Sequence, residues 1–281
     1  MTSILRLSGM SAAAGLCLAL VPATQAQAQS TVVPCSSNRV ALLRTAINNA
    51  NTAGRGDIVL ASNCVYTLTD VDPSESDPIS PDGLPEITGD VTVSAYPGAT
   101  IERSTSASAN FRIFTVESGG KLSLNNITVR NGKLVDASGA GISNHGTLNV
   151  RLGAIRNNEA NSDGGGIENA AGATASLDLT TVSGNKATAH GGGGISNSGT
   201  LLVNYTTLSG NTAQFQGGGL ANFAGQATLA GGSVTGNTSN AALGGGIYEE
   251  PGSTVTALAT GFSGNVPNNC RPQGAVQGCT G

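Results

Sequence analysis

The chain has 281 residues, 41 of them Gly, with no Trp, 3% aromatic and 11% charged residues; an ordinary globular domain is roughly 25% charged and ~7% Gly. A formal charge of −4 without a basic run argues against nucleic acid or an anionic membrane surface as partner. The length suits one large β domain, and the short alternating runs of Ile, Leu and Val argue against a disordered Gly/Ser-rich chain.

Residues 1–28 have the form of an export signal: Arg6, then the apolar stretch Ala12 to Val21, then the small-residue site Ala26-Gln27-Ala28. Ten apolar residues fall short of the ~20 that a membrane span requires, so cleavage after Ala28 is expected, and no membrane span follows. Loss of Arg6 takes the charge to −5. Residues 29–281 are expected to form one secreted or extracellular domain: an N-terminal cap over 35–68, an acidic Pro-rich loop over 69–90, coils over 91–265 and a C-terminal cap over 266–281.

In the cap, Ser36 or Ser37 precedes a helix whose apolar residues Val40, Leu43, Ala46 and Ile47 share one stripe, suited to lie as a lid over the first coil. The next segment gathers acids, and Asp70, Asp72, Glu75, Asp77 and Asp82 are candidate ligands for a hard cation. Their spacing matches no EF-hand loop, and four prolines between Pro73 and Pro85 describe an extended excursion, so a solvated loop is the first expectation.

From Gly139 onward two strings recur with a period of about 26 residues. The first is GAGISN, GGGIEN, GGGISN, GGGLAN and GGGIYE, with its apolar residue at Ile142, Ile167, Ile195, Leu220 and Ile247. The second ends in Asn158, Asn185, Asn211, Asn237 and Asn265, as in Val182-Ser-Gly-Asn185. Alternating apolar runs such as Leu148 and Val150 lie between them. Three short strands per period, each pairing with its own copy one turn later, describe an all-β, right-handed parallel β-helix of about eight coils counted from Asp57. Asn144, Asn169, Asn197 and Asn222 are expected to stack as one amide ladder, and the five Asn of the second string as another. In an elongated solenoid the termini lie too far apart to be bridged, so disulfides Cys35–Cys64 and Cys270–Cys279 are expected.

The two strings resemble the polymorphic outer-membrane-protein repeats, marked by a Gly-Gly-small-apolar string and a Phe-x-x-Asn string that Phe262-Ser-Gly-Asn265 matches literally. The chain is also similar to secreted bacterial right-handed β-helix repeat proteins of the pectate-lyase-like superfamily. The resemblance covers Gly139 to Asn265 and implies fold far more than function. No translocating barrel is expected after Asn265, and no repeating acidic cluster of the kind that marks the enzymatic members is present.

Chemistry is sparse in this text. Arg130 and Arg156 stand one period apart, and with Asp163 and Glu168 they are the candidate ligand-binding residues, a patch suited to a uronate. His145 and His190 occupy unrelated contexts, so no catalytic residue is assigned and no cofactor is expected. Thr181 and Ser183, Thr207 and Ser209, and Ser233 and Thr235 flank inward apolar residues, which predicts an outward grid of hydroxyls. The nine Phe and Tyr are scattered and offer no legible aromatic platform. These features favour a non-catalytic scaffold for an extracellular glycan or cell-envelope surface, with a polysaccharide lyase or glycoside hydrolase as the alternative; the oligomeric state is not legible.

Overall fold

The computed structural model describes residues 30–74 and 76–279; the expected signal segment and Glu75 lie outside them. The fold is an all-β parallel solenoid of about nine turns with one helix near its N-terminus. Three sheets run along it, of 15, seven and five strands. Each regular coil gives two strands to the longest sheet, such as Thr200–Asn204 and Thr207–Ser209, and one to the seven-stranded sheet, such as Ile195–Asn197. Two-residue strands such as Glu159–Ala160 form the five-stranded sheet.

The count exceeds the expected eight because the first strand, Thr31–Val33, precedes the helix and pairs in parallel with Arg55–Leu60. The helix, Arg39–Thr52, is therefore inserted within the first coil, where it hides the period. Leu43, Ala46, Ile47 and Ala50 are its buried stripe, while Val40 is only half-buried. Asn38, rather than Ser36 or Ser37, occupies the N-cap position, and its side chain makes no capping bond. Cys35–Cys64 ties the helix entry to the coil below, and Cys270–Cys279 closes the other end, both pairings as expected.

Inside, one residue type is stacked on its copy: Ile142, Ile167, Ile195, Leu220 and Ile247 align and are fully buried. Each such side chain contributes about 1.5–3 kcal/mol on leaving water. The ladders fill the corners of this core. Asn144 Nδ2 donates to Asn169 Oδ1 (2.7 Å), Asn169 to Asn197 (2.7 Å) and Asn197 to Asn222 (2.6 Å). In the second ladder each Asn Oδ1 from Asn185 onward accepts both the backbone N–H and the amide of the preceding Asn, as Asn211 does from Asn185 at 3.0 Å each.

Asn tolerates left-handed backbone angles, which is one reason to expect it at turns, but the ladder residues do not use that tolerance; in the second ladder the preceding residue is left-handed instead, with φ of 55° at Asn157 and 63° at Gly184. Asn131, also left-handed, aligns with Asn157, because Glu159 pairs with Lys133. The second ladder therefore starts at Asn158, and Gly132 donates its N–H to Asn158 Oδ1 (2.9 Å). The Gly triplets divide their work: Gly192 takes φ 67°, whereas a Cβ on Gly193 would lie 2.4 Å from the Thr212 carbonyl oxygen of the next coil.

Candidate functional site

The acidic segment is held against the solenoid. Arg44 Nε lies 3.1 Å from Asp72 Oδ2 and its Nη2 3.2 Å from Asp70 Oδ1. Arg112 Nη1 lies 3.0 Å from Asp82 Oδ1 and donates to Thr115 Oγ1 at 2.8 Å. Asp72 and Asp82 are buried, and Asp77 Oδ1 accepts the Ile79 N–H (2.8 Å). The expectation of a solvated loop holds for Asp70, residues 76–79 and Glu86, which are exposed, and is corrected at Asp72 and Asp82, where arginines distant in sequence compensate carboxylates that would be costly to bury alone. Among the described residues no three His, Cys, Asp or Glu gather as a metal site.

The candidate ligand-binding residues fall on different sheets. Arg130 and Arg156 are register partners in the long sheet, and Arg130 Nε is 2.5 Å from Glu102 Oε2, one coil earlier in the same column. Glu168 stands in the seven-stranded sheet and accepts from Ser143 Oγ at 2.5 Å. Asp163 sits in the Gly turn, where its Oδ1 accepts the Gly191 N–H (2.9 Å) and its Oδ2 lies 3.4 Å from His190 Nδ1. The expected uronate patch is thus split, and further ion pairs between coils, Lys121–Asp90, Lys133–Glu159 and Arg151–Asp178, use up charge on the outer surface. Exposed pairs of this kind contribute ~0–1 kcal/mol each.

One constellation escaped the sequence. Ser143 Oγ lies 3.0 Å from His145 Nε2 as well as 2.5 Å from Glu168 Oε2, so a hydroxyl bridges an imidazole and a carboxylate. His145 follows Ser143 by two residues, and Glu168 occupies the Ser143 position of the next coil; the signal existed but needed the register. The carboxylate binds the hydroxyl rather than the second imidazole nitrogen, which a catalytic triad would require it to orient. Ser143 is also only 2% exposed.

The hydroxyl columns form as expected. Thr181, Thr207 and Ser233 align without a register shift, as do Ser183, Ser209, Thr235 and Ser263. Each is exposed or half-exposed, and Val182, Leu208 and Val234 between them are buried. No Asp, Glu, Lys or Arg occurs between Lys186 and Glu249, so the coils of Thr207, Ser209, Ser233 and Thr235 present an uncharged face, whereas Ser183 is in register with Arg156. Aromatic groups are less scattered than the text implies: the Phe223 and Tyr248 rings are 6.3 Å apart, from neighbouring coils.

At the end of the first ladder, Glu249 takes the place of Asn in register with Asn222. Burial pushes its carboxyl above the ordinary carboxylate range, while the N–H of Val255, donated to Oε2 at 3.3 Å, pulls the other way.

No family model, curated protein or solved structure matches the chain. What stands of the resemblance is the parallel β-solenoid.

Proposed function

We propose that the protein is a non-catalytic secreted scaffold that adheres to an extended, uncharged extracellular surface, a glycan matrix or cell envelope, through the hydroxyl columns of its long sheet. One observation carries this reading: two outward columns of Ser and Thr hold straight register over successive coils, and from Thr207 to Thr235 those coils carry no Asp, Glu, Lys or Arg. Side chains then repeat at ~6.7 Å along a strand and ~4.8 Å between coils, so many individually weak hydroxyl contacts can engage one ordered surface together. The two disulfides and the absence, among the described residues, of a helix able to cross a membrane are compatible with an extracellular protein. A lyase or hydrolase groove beside Arg130, Arg156 and Asp163 finds no support in residues that stand on separate sheets or turns.

The test is partition of the mature protein onto suspended cellulose, chitin and peptidoglycan, and into growing ice. Retention on at least one is expected, with loss in a Thr181→Lys/Ser233→Lys double variant and no change on Gln214→Lys, an exposed position outside the columns. Equal retention of the double variant and wild type, or no retention anywhere, overturns the reading.

A further inference from the structure

At the corner between the two strands that a regular coil gives to the long sheet, the first residue has a left-handed backbone, joined at Gly231 by Gly232. Asn63 and Asn126 serve in early coils, and then the column continues as Leu152, Leu179, Tyr205, Gly231 and Ala259, with φ between 46° and 74°. Asn and Gly are the residues that tolerate this conformation; a bulky side chain there costs about 1–2 kcal/mol. The corner therefore carries strained residues, and they are also exposed: Leu179 at 47% and Tyr205 at 70%. Neither the backbone nor the core gains from an apolar side chain at these sites, and strain kept at exposed positions points to use.

Tyr205 is the most developed of them. Its ring is exposed yet held, because Cδ1 lies 2.8 Å and Cε1 3.0 Å from where a Cβ on Gly231 would stand. The one corner residue lacking a side chain thus follows the one bearing a ring, and the ring lies along the corner crest over its neighbour. Leu179 precedes it and Ala259 follows, Asn204 and Thr207 are adjacent in sequence on the two flanking strands, and Ser233 is the partner of Thr207 one coil later. No Asp, Glu, Lys or Arg occurs from Ala187 to Tyr248, and the nearest charges along the crest, Asp178 in register with Asn204 and Arg151 one coil earlier, are paired with each other at 3.1 Å.

We infer that Tyr205 is a stacking platform for a pyranose ring of a neutral glycan lying along the corner crest, with the flanking Asn, Thr and Ser side chains bonding its hydroxyls. The inference deepens the adhesion reading and rests on it. A pyranose has apolar C–H faces, which suit the electron-rich face of an aromatic ring, and a rim of hydroxyls, which suits the columns beside it. Around Tyr205 and Gly231 the crest has no cation free to meet a carboxylate, since Arg151 is engaged by Asp178, which favours a neutral sugar over a uronate.

The strain makes the test sharp, because it separates binding from folding. Tyr205→Asn replaces a strained ring by a residue suited to the corner, so its melting temperature is expected to equal or exceed that of the wild type. Its partition onto cellulose or chitin is expected to fall about tenfold, the equivalent of ~1.4 kcal/mol. Tyr205→Phe keeps the ring and should adsorb within a factor of about two of wild type. If Tyr205→Asn adsorbs like wild type while the Thr181→Lys/Ser233→Lys variant does not, the platform is refuted and the hydroxyl face stands. Retention of wild type on ice or peptidoglycan but on neither cellulose nor chitin refutes the neutral-glycan partner, and loss of binding in Tyr205→Phe equal to that in Tyr205→Asn refutes stacking.

Discussion

Replacing Asn211 by Ala probes the second ladder where it is most enclosed. The residue is 0% exposed and its side chain makes four bonds. Its Oδ1 accepts the backbone N–H and the amide of Asn185 (3.0 Å each), and its Nδ2 donates to Val182 O (3.0 Å) and Asn237 Oδ1 (2.9 Å). Ala removes all four and leaves the partners on both sides in a dry core. Each orphaned group costs ~1–3 kcal/mol, but adjacent coils relax and one water with several polar partners can enter the vacated volume, so the loss is about 3–5 kcal/mol. For a domain of this size each kcal/mol lowers Tm by ~2–4 °C, which gives a drop of roughly 6–20 °C. Thermal denaturation followed by far-ultraviolet circular dichroism reads it directly. Asn204→Ala, half-exposed on the outer face, is the control and should shift stability by less than ~0.5 kcal/mol. Equal melting temperatures for the two variants would mean that the ladder contributes nothing beyond filling space.

Two further predictions concern the Gly turns and the ladder end. Gly193→Ala forces a Cβ to 2.4 Å from Thr212 O and 2.6 Å from Gly218 O, backbone atoms that cannot yield without separating coils, and should cost at least ~3 kcal/mol. Gly210→Ala, at φ 62° but with nothing within 4 Å, should cost only ~1–2 kcal/mol in urea unfolding, and a reversed order would refute the close-approach account. For Glu249 the raised pKa means that the folded protein holds the proton more tightly than the unfolded chain. Its contribution is therefore complete below the ordinary carboxylate range and is lost as pH rises through the raised value. Glu249→Gln keeps an acceptor for the Val255 N–H and cannot ionise. Its melting temperature should exceed that of wild type at neutral pH and converge with it in mild acid; a gap independent of pH would show that ionisation of Glu249 is not the cause.

Much of this architecture is written locally. The apolar residue of the Gly string, the Asn positions and the hydroxyl pairs all repeat with the coil, so period alone assigns Ile195 to the core, Asn211 to a ladder and Thr207 to the surface. The disulfides follow from the same elongated geometry. What period could not supply is register between unlike texts. Asn131 resembles a ladder residue by distance in sequence, yet pairing of Lys133 with Glu159 sets it one place earlier, at the left-handed position. The first coil stayed hidden because the helix separates Thr31–Val33 from its partner strand.

The surface sites depended most on tertiary structure, since each joins residues about one coil apart whose proximity no local pattern encodes. Arg44 and Arg112 draw two acids, Asp72 and Asp82, out of what read as a solvated loop and into buried ion pairs. Ser143 met Glu168 only because strands stack in parallel, and the Arg130 and Asp163 patch dissolved because a coil turns its successive strands toward different sides. Tyr205 and Gly231 are 26 residues apart, and only stacking brings the ring of one onto the bare backbone of the other. The sequence by itself determined the repeating unit, its inward and outward faces and the cross-links at its ends, because those depend on alternation and period. The tertiary structure alone decided which outward side chains are neighbours, because that depends on register between coils.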